Sequence, residues 1–118
     1  MNQPTCKTLS DGSKQWTLND QLHREDGPAI EWADGTKQWW LNGKLHREDG
    51  HAIERSDGSK EWWVNGKLHR EDGPAIESAN GTKEWFINGK QLTELEFNKR
   101  TKKTNQLIQT DSFDDLIL

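Results

Sequence analysis

The chain has 118 residues and a formal net charge of −4, with 31% charged residues, 30% hydrophobic residues and a mean hydropathy of −1.12. Such a chain can form one small domain, but it has too little aliphatic material for a conventional two-layer core. Cys6 is the single cysteine, which excludes an internal disulfide and any zinc site built on two cysteines.

The opening MNQPTCKTLSDG carries no apolar run of the secretory kind, and no later segment approaches the length of a membrane span. The expected location is the cytoplasm. Asp11-Gly12-Ser13 then begins a series that continues at Asp34-Gly35-Thr36, Asp57-Gly58-Ser59 and Asn80-Gly81-Thr82, each 23 residues after the last. Behind each turn stands a tryptophan, Trp16, Trp39, Trp62 or Trp85. Two positions further comes Leu18, Leu41, Val64 or Ile87, followed by Asn19, Asn42, Asn65 or Asn88. Between these strands the phrase LHREDG recurs at Leu22, Leu45 and Leu68.

The period defines four copies of one unit. Alternation in TKQWWL places Trp39 and Leu41 on one face and Gln38 and Trp40 on the other. PAIEWA reads as the partner strand, and the Asp-Gly turn between the two, tolerant of positive φ, closes a short antiparallel hairpin. KLHRE is expected to be a connection, because Asp26-Gly27-Pro28 interrupts the ladder with a residue lacking an N–H. One such hairpin cannot bury enough surface to fold alone, and stacking lets neighbours share their faces. Residues 5–90 are therefore expected to form an elongated, single-layer antiparallel β-hairpin array of about four units. Trp16, Trp39, Trp62 and Trp85 are its expected structural spine.

After Lys90 the pattern changes. Thr93 and Glu96 have capping-box spacing, and residues 91–103 are expected to close the array with a short helix from Glu94. Residues 104–118 form a polar tail ending in Phe113, Asp114, Asp115, Leu116, Ile117 and Leu118. That acidic and apolar tip is either a docking motif or a segment that folds back onto the sheet.

The 23-residue period, the strands ending in WWLNGK or WWVNGK, and the HREDGPA connection resemble MORN-type repeats, in particular divergent bacterial and phage variants, over roughly Leu9 to Gly89. The resemblance implies an extended hairpin array that works by binding rather than by catalysis. In this sequence no nucleophile motif, phosphate loop or Cys-His couple argues for an enzyme.

Two sets of residues are binding candidates. One is the second aromatic column, Trp40, Trp63 and Phe86, on the face opposite the spine. The other is the edge carrying His23, Arg24, His46, Arg47, His69 and Arg70. Units of two strands would lie roughly 10 Å apart, too far for the three histidines to share one zinc, so no metal and no cofactor are expected. The arginines are expected to pair with carboxylates of adjacent units. From Asp11 to Lys90 there are 11 Lys or Arg against 15 Asp or Glu, which argues against nucleic acid as the partner; a membrane partner is not expected either, since HREDGPA stands where MORN-type repeats usually carry a glycine-richer segment.

The reading is a non-enzymatic module that binds a protein, one version being a small phage or bacterial factor that occupies a host protein. The alternatives are a scaffold that dimerises through its aromatic face and a ligand or single-strand binder using the aromatics as a platform.

Overall fold

The computed structural model describes residues 3–100. These form fourteen short antiparallel strands and one C-terminal helical segment, arranged as an open, mainly β array with no closed barrel. β1 (Thr5–Thr8) and β2 (Lys14–Leu18) open it. The main sheet then runs through β4 (Ile30–Glu31), β5 (Lys37–Gln38), β8 (Ile53–Glu54), β9 (Lys60–Glu61), β12 (Ile76–Glu77), β13 (Lys83–Ile87) and β14 (Lys90–Leu92), each beside the last, with β3 (Gln21–Leu22) branching from β2. The central units add two small hairpins, β6 (Trp40–Leu41) with β7 (Lys44–Leu45) and β10 (Trp63–Val64) with β11 (Lys67–Leu68).

The expected array is present, but each unit holds one more strand than the sequence suggested. KL in KLHRE is not a connection: it pairs with the second half of the aromatic strand, Trp40 opposite Leu45 and Trp63 opposite Leu68. The cause is a second turn. Asn42 and Gly43 both have positive φ, 50° and 79°, the geometry of the tight two-residue hairpin turn that matches strand twist. The Asp-Gly turns differ: only Gly35 is positive, Gly35 N–H donates to Trp32 O, and Trp32 N–H donates to Thr36 O. That is a three-residue loop ending in a bulge.

Nor is the aromatic strand continuous in the central units. It breaks at Trp39, whose N–H donates to Ala52 O of the next unit while its carbonyl accepts from His46 N–H in its own. One residue thus passes the chain from the main sheet to the second row of hairpins.

Successive units are joined by a recurring set of bonds. At the second joint Gln38 lies opposite Ile53, Arg47 N–H donates to Trp63 O, Gly66 N–H donates to Leu45 O and Ser56 N–H donates to the Thr36 hydroxyl. The first and third joints repeat the scheme, with the Ser13 and Ser59 hydroxyls accepting from Ala33 and Ala79 N–H. Across the sheet runs a ladder of opposite charges placed directly opposite one another: Lys14, Glu31, Lys37, Glu54, Lys60, Glu77 and Lys83. Each such cross-strand pair contributes on the order of 0.2–1 kcal/mol and penalises a one-residue slip.

The tryptophan column is only half-buried. The fully enclosed side chains are small, Ala29, Ala52, Ala75 and Ser13 at 0% exposure, with Ile30 and Ile53 beside them. A methyl group is what fits where the backbones of neighbouring units close on each other. At the C-terminal end residues 94–100 are helical, and the capping box forms: Thr93 N–H donates to Glu96 Oε1 and Glu96 N–H donates to Thr93 Oγ1. Phe97, 5% exposed, sets its ring 6.4 Å from Trp85 and closes the aromatic file. The tail with Phe113, Asp114, Asp115, Leu116, Ile117 and Leu118 lies outside the described residues. No described helix is long and apolar enough to cross a membrane.

Candidate functional site

The repeated LHREDG phrase builds a row of loops along one side of the array, and each residue type in it has a separate task. The histidine works inward. His23, His46 and His69 accept through Nδ1 the N–H of Asn42, Asn65 and Asn88 in the following unit, at 2.9, 3.0 and 2.9 Å. An Nδ1 that accepts leaves the neutral ring's proton on Nε2. His23 is 8% exposed, while His46 and His69 are half-buried and each also lines one of two open grooves; all three rings fix successive turns in register.

The arginine closes its own loop. Arg47 lays its guanidinium over the Trp39 ring, 4.1 Å from the centroid, and donates from Nε to Asp49 Oδ1 at 2.9 Å and from Nη1 to His51 O at 3.1 Å. Arg24 over Trp16 and Arg70 over Trp62 repeat this at 3.9 and 3.8 Å, and each also reaches a sheet carboxylate, Glu31 or Glu77. The expected ladder of pairs between adjacent units is thus replaced by pairs local to each loop, because the guanidinium turns back onto its own indole. The glycine makes room for it: a Cβ on Gly27, Gly50 or Gly73 would stand 3.0, 3.2 or 3.0 Å from the arginine Cζ.

Left facing solvent are the acids. Glu25, Glu48 and Glu71 are exposed, and Asp26, Asp49 and Asp72 have side chains 86–88% exposed. Between successive loops lie two open grooves of 600 and 790 Å³. The first has Trp39 and Leu41 on its floor, the second Trp62 and Val64, and loop residues 23 positions apart form their walls.

The second aromatic column is held differently. Trp40 and Trp63 are half-buried, with their indole N–H groups donating to Gln38 Oε1 at 2.9 Å and Glu61 Oε1 at 2.8 Å; Phe86 is half-buried as well. The more exposed ring is Trp32, at 38%. It stands in the column of Arg55 and Ser78, so the repeat carries no signal that marks it. His51 is a second departure from the repeat, occupying the position of Pro28 and Pro74. It sits edge-on between Trp39 and Trp62, 5.8 and 5.7 Å from their centroids, with Nε2 2.8 Å from Glu54 Oε1. Among the described residues no three His, Cys, Asp or Glu side chains gather as a metal-binding group.

Several carboxylates are held below their ordinary values. The Ser13, Thr36 and Ser59 N–H groups do this to Asp11, Asp34 and Asp57, Arg47 to Asp49, His51 to Glu54, and Thr93 N–H to Glu96. A carboxylate lowered in the folded state stabilises above its unfolded value, 3.8 for Asp or 4.5 for Glu, and that stabilisation is lost as pH falls through the folded value. The melting temperature is therefore expected to fall as pH drops below about 4. Replacing Asp11, Asp34 and Asp57 together with asparagine should flatten that fall while preserving the turns, since Asn80 accepts the same bond from Thr82 N–H at 2.9 Å. An unchanged acid profile would refute the assignment.

No protein-family model matches the chain, and no curated protein or solved structure does.

Proposed function

We propose that this chain is a non-enzymatic, MORN-type repeat module that binds a protein partner, in the manner of a small cytoplasmic factor of phage or bacterial origin that occupies a host protein. The observation that carries this reading is the division of labour in the loops. Histidine, arginine and glycine are consumed in holding the array, while each loop leaves the same acidic pair and a share of the same groove at the surface. A rigid scaffold presenting one surface several times suits a polypeptide partner lying along it. Trp40, Trp63 and Phe86, half-exposed on the second row, extend the candidate surface.

The test is capture from bacterial lysate on the immobilised full chain, beside a Trp63→Ala and Glu48→Lys double variant. A protein retained by the parent and lost by the variant, at unchanged melting temperature, supports the reading. Equal retention of every protein by both overturns it. A second reading, self-assembly as a scaffold, is favoured by β1: all four of its residues are exposed and it forms an outer edge of the main sheet, a position from which strands pair with other chains. Sedimentation that shows a tight dimer abolished by Cys6→Pro, at a position whose N–H faces the outer edge, would favour this alternative.

A further inference from the structure

Resting on the protein-binding reading, we infer that the two grooves take an extended polyproline-type segment carrying a lysine or arginine at every third residue. Both grooves have the same parts: an indole and an aliphatic side chain on the floor, and a loop with one arginine and two carboxylates on either wall. In the second groove the charged residues are Arg47, Glu48, Asp49, Arg70, Glu71 and Asp72, two positive against four negative. Both guanidiniums are already engaged by an indole face, an aspartate and a carbonyl oxygen. The charge left to attract a ligand is negative, which repels nucleic acid and anionic lipid and favours a cationic peptide.

A cation is already seated at the end of this row. Arg100 Nη2, from the capping helix, lies 3.8 Å from Glu71 Oε1. The three acidic pairs, Glu25/Asp26, Glu48/Asp49 and Glu71/Asp72, recur once per unit, and a unit is two sheet strands wide, about 9.6 Å. A polyproline helix advances about 9.3 Å per three-residue turn, bringing every third side chain to the same side. An α-helix returns a side chain to one face every seventh residue, about 10.5 Å, and a strand's same-face side chains repeat at about 6.8 Å; both lie further from that interval than the polyproline turn. Polyproline segments also dock on aromatic-lined grooves, and the edges of Trp39 and Trp62 provide such floors.

The probe is a fluorescein-labelled peptide of four lysine-proline-proline triplets, titrated with the full chain and followed by anisotropy. Its comparator has identical composition, with the lysines grouped in pairs. The triplet peptide is expected to bind at least about tenfold more tightly. Glu25→Gln/Glu48→Gln, at exposed positions with no role in the folded array, should weaken it by about tenfold at unchanged melting temperature. Equal affinity for the two peptides, indifference to the double variant, or binding of neither peptide overturns the inference. Loss of lysate capture in the Trp63→Ala/Glu48→Lys variant without peptide binding leaves the protein-binding reading standing and removes only this one.

Discussion

Trp62→Ala is expected to destabilise the array by about 3 kcal/mol, lowering the melting temperature by roughly 12 °C. The expectation does not come from burial, since the ring is only half-enclosed. It comes from the number of groups that use the ring at once. Arg70 stacks on its face at 3.8 Å and His51 meets it at 5.7 Å. Removing the indole leaves the guanidinium without its platform and exposes the floor of a groove. Trp32→Ala, at the most exposed indole among the described residues, should cost less than about 0.5 kcal/mol. Chemical denaturation of the two variants separates the cases. Similar losses would mean that the tryptophans act through general hydrophobic burial and that the Arg-indole-His file is incidental.

The contrast between these two residues shows what the sequence carried and what it did not. Period, hairpin class and C-terminal cap were legible because each depends on residues close in sequence: Asp-Gly and Asn-Gly turns, alternation, and the Thr93–Glu96 pair. The Lys/Glu ladder was present in the letters too, but Lys37 faces Glu54 only once the register between units is known. The tryptophans of the spine do not take the fully enclosed positions, and the reason is steric. Joining hairpins edge to edge brings backbones so close that Ala52 occupies the enclosed position and the indoles stand beside it. KLHRE reads as a connection as long as the proline that follows is what ends the ladder. In fact the Asn42-Gly43 turn completes a hairpin before Pro28's counterpart, His51, is reached.

The function of the histidines was hidden for a related reason. His46 and Asn65 are 19 positions apart, and their bond exists only between stacked units. A row of identical surface phrases therefore invites a reading as binding residues when most of each phrase is joinery. The residues to suspect of recognition are those that the folded array does not consume, which here are Glu25, Glu48 and the exposed halves of the aspartates; Glu71 already meets His69 and Arg100.

The arginine in each phrase gives the second large effect. Arg47→Met keeps much of the aliphatic stem but loses the cation over Trp39, the bond to Asp49 and the bond to His51 O, and is expected to cost about 2 kcal/mol. Arg47→Lys should recover less than half of that, because a single ammonium cannot reproduce the planar fork that meets an indole face, a carboxylate and a carbonyl together. The geometry also predicts a coupling that a simple surface ion pair would not show. Gly50→Ala in the parent places a Cβ 3.2 Å from the Arg47 Cζ, close enough that the guanidinium must shift by a few tenths of an ångström over its ring. In the Arg47→Met background that obstruction is gone, so the same substitution should be nearly neutral. A double-mutant cycle in chemical denaturation should give an interaction energy of about 1 kcal/mol between the two positions. Strict additivity would mean that the arginine is a solvated side chain after all, and that the glycine answers only to the conformation of its loop.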